Sequence, residues 1–171
     1  MDPVPRSVRD GETGRREDGS AIDTGDVGIA ASLAIGPDGT WHVAYADGLA
    51  ETLRYVTMVE GRVSIPEVVD DGTGVDGQPF GDGKHVVGDD AVIKVEGDRV
   101  TIAYADSSSL GLRRARASGH SPKAWALTSF PQDGRWVAFP QFIPNDERTA
   151  AWWRRSSRDT GSVEGSALLF P

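Results

Sequence analysis

The chain contains no cysteine, which removes disulfides, thiolate metal sites and cysteine nucleophiles together. Basic residues are in the minority, 18 against 26 acidic, and the formal net charge is −8. Wrapping nucleic acid needs a basic face, so this balance argues against a nucleic-acid partner. No stretch approaches the length of a membrane span. Residues Met1 to Val8 carry no apolar h-region, so the sequence reads as a soluble chain without an export signal. Histidine is scarce too. His42, His85 and His120 fall in separate contexts with no i, i+4 pair, and a zinc site is not expected. No Gly-x-Ser-x-Gly elbow is present, which leaves Ser-His-Asp hydrolysis without support.

What is abundant makes turns. The 171 residues include 21 Gly and 10 Pro, and 18 of the 26 acidic residues are Asp. These residues favour turns over long helices, so many short strands are expected. Charge is unevenly spread: residues 1–26 carry 7 acidic and 4 basic side chains, 27–115 carry 14 and 7, and 116–171 carry 5 and 7. The mildly basic last third also holds Trp125, Trp136, Trp152 and Trp153.

The strongest organising signal is a repeat. Ser32 to Asp47, followed by Leu53-Arg54, returns as Ala91 to Asp106, followed by Leu112-Arg113, and Tyr45 to Tyr104 is 59 residues. Self-similarity at a fixed period marks a supersecondary unit that stacks on its neighbours. Within the first copy, Trp41, Val43 and Tyr45 alternate with His42, Ala44 and Ala46 after the turn at Pro37-Asp38-Gly39, which predicts a hairpin. Leu53, Tyr55 and Thr57 predict a third strand, and Val63 to Val69 a fourth. The second copy predicts strands near 90–96, 99–106, 110–117 and 123–130. A decayed third copy aligns Arg99–Ser108 with Arg148–Ser157 at an offset of 49, making Trp153 the counterpart of Tyr45 and Tyr104.

The expected fold is therefore all-β: antiparallel four-stranded blades in a partial, about three-blade, β-propeller-like array. As one repeat-built domain, residues 1–26 form a loop entering the first repeat, 27–69 blade 1, 70–88 an Asp/Gly-rich loop, 89–130 blade 2 and 131–171 a degenerate blade 3. The chain enters mid-repeat and ends on the apolar run Ala167 to Phe170. Two copies closing a six-blade ring as a homodimer, or a piece of a longer repeat protein, are both expected from this.

Ser32 to Ala34, Asp38-Gly39, His42 to Asp47 and Leu53 to Tyr55 resemble the repeats of bacterial β-propeller-like proteins of the BNR (Asp-box) and sialidase-like group. Asp38-Gly-Thr-Trp41 lacks the residue expected between Asp and Gly of an Asp box, and Glu96-Gly-Asp-Arg99 lacks the Trp. The resemblance implies an extracytoplasmic location if the chain is a fragment. For a hydrolase it implies an arginine cluster and a Tyr-Glu pair, which no residues here match, so no catalytic residue is assigned.

Candidate binding residues follow from the repeat. Asp47 and Asp106 end equivalent strands, where their carboxylates either converge on a sugar or a cation or cap the turns they begin. Tyr45, Tyr104 and Trp153 either stack against sugar faces or fill the space between sheets. Asp70, Asp71 and Asp76, with Asp82 nearby, have the oxygen chemistry that calcium accepts and equally that of a solvated loop. No other cofactor is implied. The reading is a non-enzymatic binding or scaffold module for carbohydrate or protein. A fragment of a sialidase-like glycoside hydrolase is the alternative from another class, and a structural remnant without ligand is a third.

Overall fold

The structure is a computed structural model that describes residues 27–73, 84–119, 124–130, 136–144, 146–156 and 163–171. The expected loop over 1–26, Asp76 and the Asp/Gly-rich stretch around it lie outside these residues. Among the described residues every regular element is a strand, and no helix is long and apolar enough to cross a membrane.

The strands form three antiparallel sheets, each a meander in chain order, and none closes on itself. The first contains β1 (Val27–Ile35), β2 (Trp41–Asp47), β3 (Thr52–Val59) and β4 (Arg62–Val63), with β5 (Glu67–Asp70) pairing with β3 as well. The second orders β6 (Val87–Glu96), β7 (Arg99–Asp106), β8 (Gly111–Ala117) and β9 (Ala126–Phe130). The third has β10 (Trp136–Phe142), β11 (Thr149–Ser156) and β12 (Val163–Phe170).

The single fourth strand expected over 63–69 is two short pieces. Pro66 has no N–H to give a ladder. Just before it, the Ser64 hydroxyl accepts the Thr57 amide at 3.0 Å in place of a backbone carbonyl.

Each first strand carries the same irregularity. Ala30, Asp90 and Phe139 have φ of 50°, 51° and 52°, and the register against the next strand slips at each of them. A residue forced into left-handed space at an unpaired position is a bulge, which bends and twists the strand.

These bulges fix which residues are equivalent, and they revise the third copy. Ser32 faces Ala44, Val92 faces Ala103, and Gln141 faces Ala150. The counterpart of Tyr45 and Tyr104 is therefore Ala151, whereas Trp153 occupies the position of Asp47 and Asp106. The cause is hairpin length: Ile93 pairs with Ile102, nine residues on, but Phe142 pairs with Thr149, seven residues on. A constant offset of 49 holds for the bulged strands and slips by two beyond the turn.

Neighbouring sheets are joined by a recurring backbone bond. The Val87 amide donates to the Glu51 carbonyl at 3.3 Å, and the Val137 amide to the Leu110 carbonyl at 3.0 Å. Both acceptors are turn residues in left-handed conformation, with φ of 56° and 59°. Side chains complete the contact. Ala44, Leu53 and Tyr55 of the first sheet share a buried cluster with Val100, Ile102 and Tyr104 of the second. Leu112 of the second joins Val137, Ala151 and Phe170 of the third. Each large side chain so buried contributes about 1.5–3 kcal/mol.

Gly72 shows how tightly the first two sheets meet. It sits at φ 76°, and a Cβ there would lie 2.1 Å from the His85 carbonyl oxygen. Gly39, at φ 81°, has open space around it. Gly39→Ala is therefore expected to cost about 1–2 kcal/mol from backbone strain alone, and Gly72→Ala distinctly more, since backbone must move. Urea unfolding of the two variants checks the order; equal losses would refute the close approach.

Candidate functional site

Two places in the described structure gather polar side chains: a buried ionic network between the first and second sheets, and an open cleft at the turn end of the same interface.

The network begins with Asp106 at the end of β7. Its Oδ1 accepts the amides of Ser108 and Ser109 at 3.0 and 2.9 Å, capping the turn. Its Oδ2 accepts Arg113 Nε at 2.7 Å and His85 Nδ1 at 2.8 Å. Arg113 Nη1 then reaches Asp70 Oδ2 at 2.6 Å, which also accepts the Tyr104 hydroxyl at 2.6 Å. Asp70 Oδ1 accepts the Gly72 amide at 2.8 Å. All five side chains are buried. Arg113 Nη2 and His85 Nε2 have no hydrogen-bond partner among the described residues.

Protonation follows from these contacts. Burial pushes the Asp106 carboxyl up, but the Ser109 amide, Arg113 and His85 outweigh it and hold the group below the usual carboxylate range. An ionised carboxylate only accepts, so His85 carries its proton on Nδ1. Burial, then the neighbouring Asp70 charge, pushes the Tyr104 phenol far up; it stays protonated and donates.

The first sheet repeats the motif in part. Asp47 Oδ1 accepts the Leu49 and Ala50 amides at 3.1 and 2.9 Å, and Arg54 Nε lies 2.9 Å from Asp47 Oδ2. The third sheet replaces it. Phe130 faces Leu112 as Asp70 faces Leu53, and Leu168 faces Ala151 as Arg113 faces Tyr104. Where the first interface holds Asp70, Tyr104 and Arg113, the second thus holds Phe130, Ala151 and Leu168. Phe130 packs on Phe170 at 5.6 Å between ring centroids. At these three equivalent positions the contact is built once from polar and charged groups and once from hydrocarbon.

The cleft lies where the hairpin turns of the two sheets diverge. Its volume is about 550 Å³, and its described lining includes Asp38, Thr40, His42, Thr57 and Val59 of the first sheet with Gly97 and Asp98 of the second. At its floor His42 Nδ1 and the Tyr55 hydroxyl are 2.6 Å apart, and the Tyr55 ring meets the edge of Trp125 at 5.2 Å. Burial, with the charges of Glu67 and Asp38, pushes the Tyr55 phenol well up, so it is the donor. Thr40 gives Asp38 both its amide, at 3.0 Å, and its hydroxyl, at 2.9 Å, which lowers the Asp38 carboxyl. Asp38 is then ionised near neutrality and cannot act as a general acid there.

The residues singled out from the sequence sit as follows. Tyr45, Asp47, Tyr104 and Asp106 are all buried and present no surface to a ligand; both aspartates cap turns, and Tyr104 fills the space between sheets. Trp153 lies on β11, and its side chain falls outside the described residues. Asp70 is a buried anchor for Arg113 rather than a loop ligand. The exposed Asp71 accepts the amide and hydroxyl of Thr73 at 3.0 and 2.6 Å. Among the described residues no three ligating groups converge on a point that a metal ion could occupy. Sequence reading passed over Arg54, Arg113 and His85, although an Asp and an Arg seven residues apart recur in both copies. It also passed over His42 with Tyr55, which only strand pairing brings together.

No family model matches the chain, and no curated protein matches it.

Removing one member of a buried ion cluster leaves charges uncompensated, at about 3–5 kcal/mol. Arg113→Leu should cost that much in urea unfolding. Adding Asp70→Leu should recover part of the loss, with a coupling of about 0.5–3 kcal/mol; additive losses would show that the two side chains do not interact. The pH dependence has a definite sign. A carboxyl lowered in the folded chain stabilises it fully above the unfolded value near ~3.9, and the contribution disappears as pH falls through the folded value. Stability of the native chain should therefore fall more steeply below about pH 4 than that of Asp106→Asn; parallel acid limbs would contradict the assignment.

Proposed function

We propose that the chain is a non-enzymatic, β-propeller-like binding or scaffold module whose cleft between the first and second sheets takes a carbohydrate. The propeller-like reading draws support from three successive meanders, each bulged at the equivalent position of its first strand and joined to the next by one type of backbone bond. The ligand reading rests on the cleft. Its volume of about 550 Å³ falls within the range of roughly 300–1,000 Å³ common to small-molecule sites. Its described wall offers the Thr40 and Thr57 side chains, the Asp38 and Asp98 carboxylates and turn backbone. Closely spaced acceptors and hydroxyls match a polyol, in which each hydroxyl both donates and accepts.

Three observations favour binding over hydrolysis. Glycoside hydrolysis needs one carboxyl kept protonated as an acid beside a second carboxylate, and Asp38 is held in the opposite direction. The two described histidines are buried and bonded to Tyr55 and Asp106, where their rings are held by structural contacts. The arginine cluster implied for a sialidase-like hydrolase draws no support from Arg113, which is sealed between two aspartates.

A glycan array probed with the native chain and with Thr57→Trp tests this. Thr57 is only partly buried on β3 and borders the cleft, so an indole there fills the space without removing a buried bond. The native chain should bind a defined set of glycans, and the variant should lose at least about tenfold in affinity, about 1.4 kcal/mol. Binding that survives the substitution would place the site elsewhere, and no glycan binding by the native chain would overturn the carbohydrate reading.

A further inference from the structure

The register that aligns the sheets also aligns their interfaces. On the face that the first sheet turns to the second, His42 pairs with Thr57 and Ala44 with Tyr55. Their counterparts, on the face that the second sheet turns to the third, are Thr101 paired with Arg116 and Ala103 paired with Arg114. Where the first interface has Thr57 at the cleft wall and Tyr55 at its floor, the second therefore carries two guanidinium groups. The incoming turn matches as well. Asp98 of the β6–β7 hairpin borders the first cleft, and Glu147 of the β10–β11 hairpin approaches Arg116.

Cations gather at this second place. Lys94 pairs with Thr101 from the other side and lies over the Phe142 ring at 5.2 Å, and Arg99 shares the face of Thr101 by strand alternation. Their acidic partners are few. Lys94 meets Glu96 at 3.2 Å, while Arg99 and Arg116 share Glu147 at 3.8 and 3.9 Å, beyond hydrogen-bond reach. The Glu147 side chain is 75% exposed, and so exposed a pair contributes little. Among the described residues neither Arg99 nor Arg116 makes a side-chain hydrogen bond. Arg114 is buried and donates to the Pro171 carbonyl, but its Nε, like that of Arg116, is buried without a partner. Burial, and then the Arg116 charge, lower the Arg114 guanidinium, which stays cationic near neutrality. Asp146 and Arg148 neutralise each other on the neighbouring turn.

We infer that the turn end of the interface between the second and third sheets binds a doubly charged oxyanion, inorganic phosphate or a phosphate monoester, between Arg99 and Arg116. Four cations, with Lys94 and Arg114 included, stand against the carboxylates of Glu96 and Glu147, which leaves two positive charges uncompensated among the described residues. A phosphate carries about −1.5 to −2 near neutrality. Its oxygens accept the forked donors of guanidinium groups closely, which the long contacts to Glu147 do not. Like charges gathered on one sheet face destabilise it, and buried donors without partners add to the cost, so the anion relieves both. Phosphate uptake is measured without any glycan and stands apart from the carbohydrate reading.

Isothermal titration calorimetry of the full chain with inorganic phosphate, at constant ionic strength in sodium chloride, tests it. The native chain should take up one phosphate with a dissociation constant of about 1 mM or tighter. Arg116→Gln and Arg99→Gln should each weaken this at least about tenfold. Both side chains are partly exposed, so neither change disturbs the fold. Glu147→Gln removes the competing carboxylate and should tighten binding about threefold. Arg62→Gln, at an exposed cation on β4 of the first sheet, should leave it unchanged. Glycerol phosphate separates the two sources: an ester that binds at least as tightly as the free ion assigns a phosphate carried on a ligand, and a weaker one assigns the free ion. No saturable uptake by the native chain would overturn the inference. So would unchanged affinity in both arginine variants, weaker binding by Glu147→Gln, or an equal loss in Arg62→Gln, which marks a diffuse effect of charge.

Discussion

The contact between the first two sheets depends on one guanidinium. Arg113 is taken out of water between Asp70 and Asp106, at 2.6 and 2.7 Å, and neither carboxylate would tolerate the same burial without it. Desolvating an ion costs several kcal/mol, and only close, well-directed partners repay it. The geometry shows how that repayment is arranged. Turn amides take one oxygen of each aspartate, while Arg113, His85 and Tyr104 take the other. Each of the five groups is fixed by at least one other, so the first sheet, through Asp70, and the second, through Arg113, hold one relative position. The opening of the cleft at the turn end follows from that position.

Among the described residues, the second and third sheets meet without such a cluster. Phe130, Ala151 and Leu168 occupy the equivalent places, and Arg114 adds its cation over the Phe130 ring at 5.2 Å. Hydrocarbon at these positions has no desolvation cost to recover, but it also imposes no directional bonds. Repeats that share a backbone scaffold need not share chemistry at their contacts, because the bulges at Ala30, Asp90 and Phe139 and the turn-to-strand amide bonds already position the sheets.

Much of the fold was legible in the sequence. The alternation around Tyr45 and Tyr104, bounded by Gly-Asp turns, located β2, β3, β7 and β8 closely, because half-buried strands must alternate. Pro66 signalled the break in the fourth strand but was passed over. The third copy was legible as strands and misread in register, since a hairpin shortened by two residues leaves no composition signal. The polar network was half visible. Repeated Asp47 and Asp106 indicated caps, as found, while their bonds to Arg54 and Arg113 depended on β2–β3 and β7–β8 pairing. His85 lies 21 residues from Asp106, a separation that no local pattern encodes. The cleft was not legible at all, because turns distant in sequence form it.

The central claim is that Arg113 is locked between two carboxylates inside the protein, and its own Nε–H proton reports on that directly. Nitrogen-edited NMR with solvent-exchange measurement follows this proton. Locked on Asp106, it should resonate as a resolved, shifted signal and exchange with water only as slowly as the amides of Ile102 and Leu112 beside it. Exchange at the rate of a solvent-exposed arginine, with the chain fully folded, would contradict the account.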